Sequence, residues 1–235
     1  MPIVRRKTAS WIRKSHRYLG IFLGLQFLMW TISGIYFSWT DIDEIHGDHF
    51  KKIPATEANF SQLAGISTLV PDAEITTLEL KDIAGEPYYW INEEILVHAR
   101  TGNKKQEISE AEALKISEKY MKNCLEVSMV EKVTQTGDHH EYRGGKLPAY
   151  VISYAGPDNL KAYVSARDGS FRSVRYRDWR WFDFLWMTHT MDYDTRDNFN
   201  TLLLRGFSLL GLITVLSGFV LWFISSPRMI KIFSR

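Results

Sequence analysis

YLGIFLGLQFLMWTISGIYFSWT, residues 18–40, runs for twenty-three residues without a charge, and its reading decides the fold. A helix rises about 1.5 Å per residue, so this run crosses the roughly 30 Å of hydrocarbon in a bilayer. A cleaved leader needs a shorter apolar core followed by small residues, whereas this run ends in Tyr36, Phe37 and Trp39. It reads as a retained transmembrane helix. A second run, GFSLLGLITVLSGFVLWFISSP at residues 206–227, has twenty-two uncharged residues and the same reach. Trp30, Tyr36, Trp39 and Trp222 are amphipathic rings of the kind that settle near interfaces. Gln26 is the one strongly polar side chain inside either span, and it is expected to face a helix partner.

Charge orients the hairpin. Residues 1–17 carry six Lys or Arg and no acid, and residues 225–235 carry three and no acid. All twenty-seven acids therefore lie between the tails, against twenty basic residues. The positive-inside rule puts both tails in the cytoplasm and the acidic middle outside, which in a bacterial host is the periplasmic side of the inner membrane. The tails read as anchors on anionic membrane lipid, and no nucleic-acid partner is expected. Working outward, the expected organisation is a basic tail (1–17), transmembrane helix 1 (18–40), an extracytoplasmic domain (41–177), an interfacial amphipathic helix (178–200), transmembrane helix 2 (201–224) and a second tail (225–235).

The extracytoplasmic stretch contains a likeness to itself. PYYWI…EILVHARTGN at 87–103 and PAYVI…LKAYVSARDGS at 148–170 each hold a proline, two aromatic and β-branched runs, and Val-x-Ala-Arg-x-Gly. Alternating apolar residues predict strands, and Thr101-Gly102 and Asp168-Gly169 supply turn chemistry. Ahead of the second hairpin, Ser109 and Glu112 form a capping-box pattern, with Ala113, Ile116, Tyr120 and Cys124 on one helical face. Cys124, the single cysteine, excludes an internal disulfide framework and is expected as a buried, inert thiol. Residues 127–135 follow as a strand. A shorter helix near 59–69 and a strand at 74–83 precede the first hairpin. The fold class is membrane α plus α+β: a two-helix transmembrane hairpin enclosing a tandem domain of helix and three-strand repeats. The polar, glycine-rich loop at 136–146 is expected to be exposed, and its His139-His140 pair lacks a third ligand.

Hairpins ending in Ala-Arg-x-Gly between two spans, His16-Arg17-Tyr18-Leu19-Gly20 at the start of the first helix, and Ser33-Gly34-Ile35-Tyr36 within it form one pattern. His189-Thr190-Met191-Asp192-Tyr193 before the second helix, with Ser217-Gly218 and Trp222 inside it, completes that pattern. Together these resemble the PepSY-associated transmembrane family. The resemblance implies PepSY-like outer repeats and kinship with bacterial membrane ferric-siderophore reductases. It further implies b-type haem on histidines and electron transfer outward toward iron, although those reductases have four spans where this chain has two.

Seven histidines occur, at 16, 46, 49, 98, 139, 140 and 189. His16 stands at the inner end, while His46, His49 and His189 stand at the outer end. A haem between two imidazoles needs both rings in one leaflet. His16 reads either as a polar anchor or as a haem ligand beside a bare shelf at Gly20 and Gly24. A second inner ring then has to come from a homodimer or a membrane redox partner. At the outer end His46 and His49 read either as solvated exit-loop residues or as partners of His189, which shares a helical face with Phe182, Leu185 and Trp186. No hydrolase or phosphate-binding motif is present, and Ser33-Gly34 and Ser217-Gly218 read as close-packing serines without a base nearby. The alternative function is a non-enzymatic anchored module that binds an envelope protein or peptide along a strand edge.

Overall fold

The computed structural model describes residues 6–53, 59–71 and 74–226. In chain order its elements are α1 (Arg6–Trp39), α2 (Ile42–Ile45), a 3-10 turn (Asp48–Phe50), α3 (Ile66–Leu69), β1 (Leu78–Ile83), β2 (Glu86–Ile91), β3 (Ile95–His98) and β4 (Lys104–Lys105). There follow α4 (Glu110–Tyr120), β5 (Val127–Val133), β6 (Ala149–Tyr154), β7 (Lys161–Ser165), β8 (Phe171–Arg175), α5 (Arg177–Thr190) and α6 (Leu202–Ser225). They form two compact units, Met1–Trp39 with Asp183–Arg235, and Thr40–Phe182. Parts of both basic tails lie outside the described residues.

The first unit is helical, and α1 and α6 are both long and apolar enough to cross a membrane. α1 begins well before the uncharged run, so Arg13, Lys14 and Arg17 ride on the same helix. Phe22 stacks on Phe207 with centroids 5.5 Å apart, and the Phe27 ring lies against Gly211. A Cβ at Gly211 stands only 3.1 Å from that ring, so glycine is what lets the two helices close there. On the other faces Ile21 and Leu25 are 73 % and 72 % exposed, and Leu209 and Phe219 are 60 % and 66 % exposed. A water-soluble helix pair rarely leaves so much contiguous apolar surface uncovered. At its start α6 is capped by Thr201, whose hydroxyl accepts from the Leu204 N–H at 3.1 Å.

The second unit holds two antiparallel four-stranded sheets, ordered β1-β2-β3-β4 and β5-β6-β7-β8. Three strands were expected in each. The fourth members, β4 and β8, escape a hydrophobic pattern because one is two lysines and the other, FRSVR, alternates arginine with a single fully buried residue, Val174. Trp90 and Leu96 from the first sheet and Ile152, Ala162 and Val164 from the second share one core with Ile116 of α4. Each fully buried aliphatic there contributes about 1.5–3 kcal/mol. The capping box of α4 forms as predicted, with Ser109 and Glu112 satisfying each other's backbone N–H. Gly47 turns the chain out of α2 with φ +76°, where a Cβ stands 2.8 Å from Val174 Cγ1. Only glycine fits that turn.

Three expectations are corrected. The helix placed near 59–69 shrinks to α3, a single turn whose N-cap Gly65 offers no side-chain acceptor. Cys124 lies beyond α4, which stops at Tyr120, and is exposed rather than buried. The loop at 136–146 is pinned to the second sheet. Tyr142 is 3 % exposed and stacks on Tyr163 with centroids 4.5 Å apart.

Candidate functional site

Along α1, Gln26, Trp30, Ser33 and Phe37 recur at spacings of four, three and four, which places them on one face. That face receives the C-terminus of α5, whose last carbonyls have no partner inside their own helix. Gln26 Nε2 donates to the Thr188 carbonyl at 3.0 Å, and Trp30 Nε1 donates to the His189 carbonyl at 2.8 Å. Ser33 Oγ lies 2.7 Å from His189 Nδ1. Phe37 sets its ring edge-on to the imidazole at 5.6 Å. One helix thus holds His189 by backbone, ring nitrogen and ring face. The partner that Gln26 finds is α5.

The other end of α1 uses the same pairing, with α1 now carrying the histidine and its neighbour the serine. His16 is on α1 and its serine on α6, with Nδ1 2.8 Å from Ser217 Oγ and 3.2 Å from the Thr214 carbonyl. A Cβ at Gly218 stands 3.2 Å from His16 Cε1, so the Ser-Gly pair supplies both a hydrogen-bond partner and room for the ring. Ser217 lies eight residues inside the end of α6, about 12 Å along the helix. His16 therefore reaches into the second span. Neither serine lacks an imidazole, which corrects the sequence reading. The shelf at Gly20 and Gly24 meets no atom within 4 Å. Beside Ser217 opens an apolar groove of about 820 Å³ lined by Trp11, Leu19, Phe22, Ile213 and Val220.

Both serines also bond back to their own helix. Ser33 Oγ donates to the Met29 carbonyl at 2.7 Å, with the Trp30 carbonyl at 3.2 Å, and Ser217 Oγ donates to the Thr214 carbonyl at 2.7 Å. Seventeen residues of α1 separate His16 from Ser33, about 25 Å. His16 and His189 cannot meet at one iron. Among the described residues no group of three or more His, Cys, Asp or Glu is placed to hold a metal ion.

His46 and His49 belong to the sheet unit. His46 is the C-cap of α2, its N–H bonded to the Ile42 carbonyl, and the His49 ring packs edge-on to Tyr176 at 5.2 Å. In the 136–146 loop His140 Nδ1 accepts from the Tyr142 N–H at 3.0 Å. The polar centre of this unit is Glu141. Tyr163 and Arg180 donate to its two carboxylate oxygens at 2.7 Å each, and Lys161 lies 3.2 Å away. Burial pushes the Glu141 carboxyl up, but the Arg180 and Tyr163 hydrogen bonds outweigh it and hold the group below its ordinary value. Burial, reinforced by the hydrogen bond to Glu141, pushes the Tyr163 hydroxyl well above the usual tyrosine value.

Sequence reasoning found both membrane histidines and missed Ser33, Ser217 and Thr214 as their partners. The signal was present: a Ser-Gly pair in each span and a histidine near the opposite end of the hairpin. Antiparallel pairing of the two runs brings Ser217 to His16, and the docking of α5 on α1 brings His189 to Ser33. A family model described as the PepSY-associated TM region matches residues 1–225. No curated protein and no solved structure matches the chain.

Proposed function

This chain belongs to the PepSY-associated transmembrane family, and on that premise we propose that it is a membrane-anchored PepSY protein holding b-type haem on His16 and His189. One observation carries the reading. Two half-buried imidazoles, about 25 Å apart along α1, are each tethered through Nδ1 to a serine and set among apolar or aromatic side chains. Such a donor set fits a haem iron, which a neutral imidazole ligates through one nitrogen while the other is held by a protein acceptor. Haem iron supplies one-electron chemistry when bound.

The chain itself would supply the imidazoles that hold the group, the walls beside them and their spacing. Ser217, the partner of His16, lines the apolar groove, and Trp30 and Phe37 wall His189. Since one described ring stands at each depth of the helical unit, the second comes from another copy of the chain or from a membrane redox partner. In this reading both tails face the cytoplasm of a bacterial inner membrane, and the sheet unit is a pair of PepSY-like repeats on the periplasmic side. With haem held at both, the His16 end would be the side of electron entry and the His189 end the side facing a ferric siderophore outside. The test is the visible spectrum of the detergent-purified protein from haem-replete cells. Soret and α bands that sharpen on reduction are expected, and their absence overturns the haem reading.

A second reading, an anchored binding module, is favoured by the first strand of each sheet. β1 and β5 are edge strands, and Leu78, Leu80 and Met129 are exposed on them. An envelope peptide can add to such an edge. Lysines at Leu78 and Leu80 should then abolish capture of that partner and leave the visible spectrum unchanged.

A further inference from the structure

We propose that Ser217 and Ser33 are positioning residues that hold His16 and His189 with the ring proton on Nδ1, so that Nε2 presents its lone pair to iron. The inference rests on the reading of these histidines as haem ligands, but its first step follows from proton counting. A serine hydroxyl has one hydrogen to give and two lone pairs with which to accept. Ser217 gives its hydrogen to the Thr214 carbonyl at 2.7 Å, so toward His16 it can only accept. The Thr214 carbonyl itself, 3.2 Å from the same Nδ1, is also an acceptor. Nδ1 of His16 faces two acceptors and carries the proton.

The outer pair obeys the same count. Ser33 has two carbonyls within reach of its hydrogen, those of Met29 at 2.7 Å and Trp30 at 3.2 Å. Its oxygen accepts from His189 Nδ1 at 2.7 Å. Neutral imidazole has one protonated and one bare nitrogen, so fixing the proton on Nδ1 leaves Nε2 bare. This is the form that ligates a metal, and the acceptor on the far nitrogen raises its basicity. The same polarity disqualifies both pairs as nucleophile and base. A ring that donates through Nδ1 cannot take the proton of the serine it donates to.

The experiment has two arms on the full-length protein in detergent. In the first, protein without haem is labelled with nitrogen-15 histidine and read by NMR at about pH 8.5, where a histidine of ordinary pKa is neutral. His16 and His189 are assigned by loss of their signals in His16→Ala and His189→Ala. Both are expected with a protonated Nδ1 and a bare Nε2. Ser33→Ala should return His189 alone toward the mixed tautomers of free imidazole, and Ser217→Ala should shift His16 alone in the same direction but only in part, since the Thr214 carbonyl remains beside its Nδ1, while Ser217→Thr and Ser33→Thr retain the wild-type pattern. A proton on Nε2 in the wild type, or alanine variants that leave the tautomer unchanged, overturns the proposal.

In the second arm the same proteins are titrated with haemin and their midpoint potentials are read. Each alanine variant is expected to raise the potential of its own component, because a less basic imidazole stabilises ferric iron less, and threonine should restore it. An unmoved potential overturns the serine's role toward iron. Failure of the wild type to bind haemin while its rings keep the Nδ1 proton overturns the haem reading instead, so the two failures are distinct.

Discussion

The contacts of α1 and the carboxylates of the sheet unit satisfy their polar groups by different means. The hydrogen bonds that His16, Gln26, Trp30 and Ser33 of α1 make to its neighbours involve no carboxylate: Gln26 and Trp30 donate to carbonyls of α5, and two serines meet two imidazoles. In the sheet unit half-buried carboxylates sit in ion pairs, with Glu141 between Arg180 and Lys161, Asp168 on Arg172 at 3.1 Å, and Asp82 on Lys119 at 2.6 Å. Desolvating a charge in hydrocarbon costs several kcal/mol, whereas a carbonyl left over at a helix end needs only a neutral donor. The contrast teaches that substitutions at Glu141, Asp168 and Asp82 report on the ion pairs of the sheet unit, while shape and hydrogen-bond substitutions at Gln26, Gly211 and Gly218 report on the contacts of α1.

The largest effect that sharpens this contrast is expected from Glu141→Leu. It leaves Arg180 and Lys161 without their carboxylate and costs the sheet unit roughly 3 kcal/mol, read as a lower thermal midpoint of its near-UV signal. The wild-type pH profile follows the same group. Its folded carboxyl lies below its ordinary value, so the stabilisation is fully present above the ordinary carboxylate range and is lost as pH falls through the lowered folded value. Glu141→Gln should lose that slope. Melting of the α1–α6 pair in step with the sheets on acidification would break the comparison.

Next in size, Gly218→Leu drives a side chain into the His16 ring and is expected to cost about 1–3 kcal/mol and to remove the His16-dependent part of the visible spectrum. Gly34→Leu, whose Cβ meets nothing within 4 Å, should leave both spectral parts in place. Gln26→Leu strands the Thr188 carbonyl and should destabilise the docking of α5 by about 1–2 kcal/mol, seen as faster amide exchange at residues 186–190 without change in the sheets. Smallest, Ser109→Ala removes one half of the capping box and should cost the sheet unit about 1 kcal/mol in a denaturant midpoint, with the helix pair unaffected.

The parts legible in sequence were those written as periodicity or composition. Two uncharged runs mark α1 and α6, alternation marks β2, β3, β6 and β7, and Ser109 with Glu112 marks the start of α4. What escaped depends on contacts between distant residues. Cys124 matched the period of α4 although the helix had ended, and the 136–146 loop is polar by composition yet Glu141 and Tyr142 are held by β7 and α5. In the site, His16 and His189 were visible as rare titratable rings near apolar sequence. Their serines were not, because Ser33 lies 156 residues from His189 and Ser217 lies 201 from His16.

The central claim is that two separate imidazoles, one at each end of the helix pair, hold haem. It is tested most directly by reduced-minus-oxidised spectra, per mole of chain, of the wild type, His16→Ala, His189→Ala and the double variant. The account predicts that each single variant loses a distinct component, that the two losses sum to the wild-type signal, and that the double variant is colourless. A wild-type spectrum retained by the double variant would contradict it.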